Sequence, residues 1–379
     1  MTAQKYLTNS LGNLESTGIP VPHRLIKEKI MIANFVKKGL SLLVLPLAAM
    51  LPAQLDAQVN TDTVNIYSAR KQELIKPLLE DFWKSTGIQF NLVTGKADEL
   101  LTRLELEADA TPADLFITVD AGRLHRAKDA GVLQTVDDPL VADSVPGHLR
   151  DQDGYWVGLS KRARAIVYAM DRVDESELST YEALTDPEWA GRICIRSSSN
   201  IYNQSLVASM IAALGVEETE RWANGIVNNM ARPPSGGDTD QIKAVAAGEC
   251  DLAVVNSYYF GRLAGSEDPN QREIVEKLRI FWPNQQASDR GTHINVSGAG
   301  ITKHAKNPEG ALTLLRFLVS SKAQSWYSAV NHEFPVVEGS AISSTLLDWG
   351  DFREDQVNLS QLGVNNRKAV EIMDRAGWQ

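Results

Sequence analysis

The sequence predicts an α/β protein of two lobes, with an interlobe cleft and strands that cross between the lobes as a hinge. Three observations lead to that class. Strand-like and helix-like segments alternate along most of the chain, the order that builds α/β layers with mostly parallel sheets. The 379 residues suffice for two lobes of ordinary size, each with its own core. One long stretch, GYWVGLSKRARAIVYAM at 154–170, carries enough β-branched residues to run from one lobe into the other.

The elements follow in order. TVNIYSA (63–69) is the first strand and ends in polar residues. In KPLLEDFWKSTG, Leu78, Leu79 and Phe82 share one helical face, Pro77 suits the first turn and Gly87 stops the helix. IQFNLVTG is the next strand, KADELLTRLELEA the next helix, ADLFITVD the third strand and AGRLHRAKDAG the third helix. Sheets of this order bind ligands beyond the carboxyl ends of their strands. Past the crossing stretch, RICIRSSSNIYNQSLVASMIAALG reads as a strand, a Ser-rich turn and a helix stopped by Gly215. CDLAVVNS is a strand that runs straight into Tyr258 and Tyr259, HINVSGAGIT (293–302) is a return strand, and PEGALTLLRFLVSS is one of the closing helices. The expected lobes are 60–160 with 285–335, and 161–284 with 336–379.

The N-terminal 57 residues are expected to be a leader. Lys37 and Lys38 precede the uncharged run GLSLLVLPLAAML (39–51), and small residues follow at Ala53 and Ala57. That is the layout of a cleaved signal peptide, with a basic start, an apolar run of about 7 to 15 residues and a small-residue cleavage site. A membrane span needs about 20 apolar residues, and no cysteine follows the run to carry a lipid. Cleavage is expected near Ala57 and the true start at Met31, because the polar residues 1–30 are out of place before a signal peptide.

Composition narrows the partners. The chain is 43% apolar and 23% charged, with a formal charge of −10. Phosphate binding needs clustered Lys and Arg that the sequence lacks, so nucleic acid is not expected. Cys194 and Cys250 are the only cysteines. In an exported protein they form either a disulfide, worth about 4 kcal/mol for a loop of that length on the entropic account, or two separate buried thiols.

Polar strand tips converge on the cleft of such a fold. They are Tyr67-Ser68-Ala69-Arg70-Lys71, the turn Ser197 to Tyr202, and Tyr258-Tyr259. Cys194 stands eight residues before Tyr202, and Cys250 eight before Tyr258. A phenol with its ordinary pKa of about 10 is a poor ligand, but a trivalent hard cation lowers that pKa and takes the phenolate oxygen. Adjacent tyrosines point to opposite faces of a regular strand, so both reach one site only where the strand ends. On residue type alone the pair reads equally as amphipathic packing. The six histidines form no pair at metal-ligand spacing, and His293 is expected to be structural. No phosphate loop, nucleophile elbow or zinc-protease motif is present, so the chain is not expected to be an enzyme.

The passages VNIYSARK, TGKADELLTRLE, ADLFITVDAGRLHRAKDAG, YWVGLSKRARAIVY, RSSSNIYNQSLVAS, CDLAVVNSYYFGRL and NVSGAGITKHAKNPE resemble the periplasmic ferric-iron-binding proteins of ABC transporters. The likeness extends over residues 60–379. It implies a type II periplasmic binding protein fold, a monomer in the periplasm, and delivery of iron to a permease in the inner membrane. It also implies Fe(3+) ligands at Tyr202, Tyr258 and Tyr259. A histidine that some members place after the first strand is absent, since Lys71 and Gln72 stand there. The version that fits uses a synergistic anion such as carbonate, held by Arg70, with Asn200 and Lys71 contributing. Tyr67 and Arg262 are candidates for the surround, while Asp120 stands near a carboxylate position of other members without aligning to it. The rival expectation is a binding protein of this fold for another solute, an oxyanion, polyamine or thiamine, with the tyrosines as wall residues.

Overall fold

The computed structural model describes residues 62–379, so the expected leader and its cleavage site lie outside the described residues. Among those residues, eight strands form one sheet: β1 (Thr63–Ser68), β2 (Gln89–Thr94), β3 (Leu115–Val119), β4 (Val157–Ala169), β5 (Ile193–Cys194), β6 (Leu252–Asn256), β7 (Leu278–Phe281) and β8 (Ile294–Ile301). Their order is β2-β1-β3-β8-β4-β6-β5, with β7 also on β4.

The crossing strand was legible, and its register shows how it crosses. Residues 157–163 of β4 pair with β8, whereas 164–168 pair with β6 and 166–169 with β7. One strand therefore serves two half-sheets. Their direction corrects the sequence reading, because the sheet is mixed rather than mostly parallel. β1 is parallel to β2 and β3, and β5 to β6, each joined through helices. β4 and β8 instead carry the chain between halves and lie antiparallel to each strand they meet.

The helices form where the sequence places them. Lys76–Thr86 buries Leu78, Leu79 and Phe82 and ends at Gly87, whose φ of 77° only glycine adopts cheaply. Each of those three side chains contributes roughly 1.5–3 kcal/mol by leaving water. Asn200 caps Ile201–Leu214 and Gly215 ends it. The larger core runs through both half-sheets, from Val64 and Ile66 to Ile193 and Leu252. A smaller one, with Val167, Ile242, Val245 and Val255, surrounds the cysteines. Cys194 and Cys250 form a disulfide with a Cα–Cα distance of 5.9 Å. It joins the end of β5 to the residues that lead into β6, the two segments that run on to the tyrosines.

Candidate functional site

β6 ends at Asn256 and the helix Ser257–Ala264 begins at the next residue. Tyr258 and Tyr259 thus occupy the first turn of a helix, where successive side chains do not alternate faces. Their rings lie 4.3 Å apart, tilted by 32°. Tyr202 is the second residue of Ile201–Leu214, and the Tyr258 hydroxyl donates to its hydroxyl at 3.3 Å. The three phenols expected from the sequence therefore stand together.

A buried ion pair aligns the two tyrosine-bearing segments. Arg164 of β4 donates from Nη1 to Asp238 at 2.8 Å and to Asn256 Oδ1 at 3.2 Å, and from Nη2 to Asn203 Oδ1 at 2.6 Å. Asp238 accepts in turn from the Asn256 N–H at 2.9 Å and faces Arg196 at 3.4 Å. Asn203 adjoins Tyr202, and Asn256 lies two residues before Tyr258. One guanidinium and one carboxylate, both essentially without solvent, thereby fix where each phenol emerges.

Close approach on the other side depends on one glycine. A Cβ at Gly261 would meet Cβ of His332 at 2.8 Å, so only glycine lets the Tyr258 helix rest on the turn that carries His332 and Glu333.

The phenols sit among cations. Arg262 lies over Tyr258 at 4.8 Å and over Tyr259 at 5.7 Å, while Arg196 and Arg162 face the Tyr202 ring at 5.5 and 5.8 Å. Burial, then the neighbouring Tyr202 and Tyr259, hold the Tyr258 phenol well above its usual range. Burial, Tyr202 and Asp238 push Tyr259 up to about 12. Both are neutral at ordinary pH.

The remaining predicted residues divide. Arg70 is buried; its Nη2 pairs with Glu333 at 2.9 Å and its Nη1 donates to Ser160. Its charge acts on Tyr258 as well. Lys71 is exposed at the start of a short turn. Asn200 spends its side-chain oxygen on the Tyr202 N–H, at 3.0 Å. Tyr67 is turned to another task, since its hydroxyl donates to the Glu107 carboxylate at 2.9 and 3.0 Å and Arg103 covers its ring. Asp120 caps the helix Ala121–Asp129 and accepts from Ser205 and Asn295, which occupies both its oxygens. His293 is buried beside Arg290, Arg164 and Arg162 and is held neutral, first by desolvation and then by those charges.

Arg162, Arg164, Arg196, Asp238 and Glu333 escaped the sequence reading. For two of them a signal existed. After the register break between Gly158 and Ser160, alternation puts Ser160, Arg162 and Arg164 on one face of β4. Two arginines two residues apart in a largely buried crossing strand mark a buried polar task. Among the described residues no group of three or more His, Cys, Asp or Glu side chains could hold a metal, and the phenols are the clustered oxygen donors.

The sequence matches the family of bacterial extracellular solute-binding proteins over residues 110–353, more than half of the chain. The chain belongs to that family. This solute-binding protein is 48% identical over 316 residues to iron uptake protein A1 of Synechocystis sp., spanning 83% of this chain and 87% of that one. It is 43% identical to iron uptake protein A2 of the same organism, over 93% and 99%. Among solved structures it is similar to a Trichodesmium FutA in complex with iron and citrate, with a TM-score of 0.81 and 48% identity over 84% of this chain and 100% of that one. The ferric binding protein from Campylobacter jejuni matches with a TM-score of 0.78 and 40% identity, over 83% and 100%. The resemblance read from the motifs and the two-lobe, type II class are thereby borne out.

Proposed function

We propose that this solute-binding protein captures ferric iron in the periplasm and hands it to an ABC permease in the inner membrane. The observation that carries this reading is the convergence of Tyr202, Tyr258 and Tyr259 at the meeting of two segments fixed by Arg164 and Asp238. Three phenolates cancel one ferric charge, and their hard oxygens suit a hard cation. The iron uptake and iron-bound relatives support the same cargo. We assign the lobes to 60–160 with 285–335 and to 161–284 with 336–379, so that β4 and β8 form the hinge on which the cleft closes over iron.

A carbonate-type anion completes the ferric coordination in this reading. Arg70 offers it a fixed positive charge and an Nε–H without a partner among the described residues. Asn200 and Lys71 are assigned to the anion as well. Permease delivery, export and a monomeric state belong to the same proposal.

A solute panel tests it. Ferric iron supplied with bicarbonate should raise the melting temperature of the mature protein, by the linkage between binding and folding. Thiamine, polyamines and other oxyanions should leave it unchanged. Stabilisation by one of those solutes, with none by iron, would reassign the tyrosines as wall residues.

A further inference from the structure

A buried carboxylate is paired with Arg70 and within the field of Arg162. Glu333 follows His332, whose left-handed φ of 54° turns the chain inward after the helix Ser321–Asn331. Its carboxylate takes Arg70 Nη2 at 2.9 Å and the Ser160 hydroxyl, with Arg70 and Glu333 at 3% and 4% side-chain exposure. Burial opposes its charge, but Arg70, Arg162 and the Ser160 hydrogen bond outweigh that and keep the carboxyl ionised. The cations are not exhausted by it. Arg70 Nε, Arg162 Nε and Arg162 Nη2 are buried without a partner among the described residues, so Glu333 pairs with Arg70, feels the charge of Arg162, and leaves both guanidinium groups with donors to spare.

We propose that Glu333 is an internal counter-anion that competes with the external carbonate-type anion for Arg70, and so sets the anion concentration at which ferric iron is captured. This rests on the tyrosine-and-anion reading above. Before iron arrives, the Glu333 carboxylate supplies the negative charge that buried guanidinium groups require. An incoming oxyanion either shares Arg70 with Glu333 or displaces it, and both cost affinity. Iron capture therefore needs more bicarbonate than the arginines alone would demand.

The test is a ferric titration of the mature protein at increasing bicarbonate, read by the visible absorption of the tyrosinate complex. Glu333→Gln keeps the shape and removes the charge, and should lower the half-saturating bicarbonate by about tenfold. Ser160→Ala keeps both charges and removes the hydroxyl that steadies the carboxylate, and should shift it by a smaller amount in the same direction. If Glu333→Gln does not fold, Ser160→Ala decides alone. An unchanged or higher bicarbonate requirement, with the ferric band formed, would overturn the role of Glu333 and leave the tyrosines intact. A wild-type protein that forms no ferric band at any bicarbonate concentration would overturn both.

Discussion

The hydroxyl of Tyr258 lies 3.3 Å from that of Tyr202, 56 positions earlier in the chain. Neither helix holds that distance by itself. It is set by Arg164 and Asp238 behind them, which bind Asn203 on one side and Asn256 on the other.

Breaking that pair should cost stability before it costs chemistry. Asp238→Asn leaves the Arg164 guanidinium buried without its counter-charge, so the protein should lose about 3–5 kcal/mol. A lower denaturant midpoint with an unchanged slope would show it. A midpoint at the wild-type value would mean that the tyrosine segments are aligned by something else.

The phenols give a pH dependence with a defined sign. Tyr258 lies well above its usual range and Tyr259 at about 12, both from burial first and their neighbours next. Each phenol that binds iron must lose its proton, so ferric affinity should rise by about tenfold per pH unit for each phenol engaged. Acidification should release the metal. The metal-free protein behaves oppositely. A folded-state pKa raised above the unfolded value of about 10 stabilises fully below that pH, and the benefit is lost as pH rises towards 12. Proton release on iron binding, measured calorimetrically in buffers of different ionisation enthalpy, checks the first statement; alkaline denaturation checks the second.

Tyr67→Phe should separate strand-tip tyrosines from site tyrosines. Its hydroxyl serves Glu107, so removal should cost about 1 kcal/mol of stability and leave the ferric spectrum unchanged. Loss of the visible band in this variant would place Tyr67 at the metal.

The Cys194–Cys250 disulfide closes a loop 56 residues long. Cys194→Ser with Cys250→Ser should destabilise the protein by about 4 kcal/mol on the entropic account, measured as a fall in the denaturant midpoint. Iron binding should persist at low temperature, because the Arg164–Asp238 pair remains.

Much of this was legible in the sequence because it is local. Gly87 and Gly215 end their helices, and the strand CDLAVVNS ends where Tyr258 begins, whereas Asn200, expected at the anion, serves as a helix cap. Strand direction was not legible, since β4 and β8 take theirs from the path of the chain between halves, and no residue encodes it. Arg162 and Arg164 were readable as an alternating pair in the crossing strand, which was read only for its β-branched residues. Glu333 carries no local signal at all. It reaches Arg70 from 263 positions away, through a turn at His332 that no periodicity announces.

Ferric loading of the mature protein, followed in the visible range for wild type and Tyr258→Phe, tests whether the three tyrosines hold iron. A coloured wild-type complex is expected, with its band lost in Tyr258→Phe while the folded structure persists. A wild-type protein that stays colourless with ferric iron and bicarbonate would contradict it.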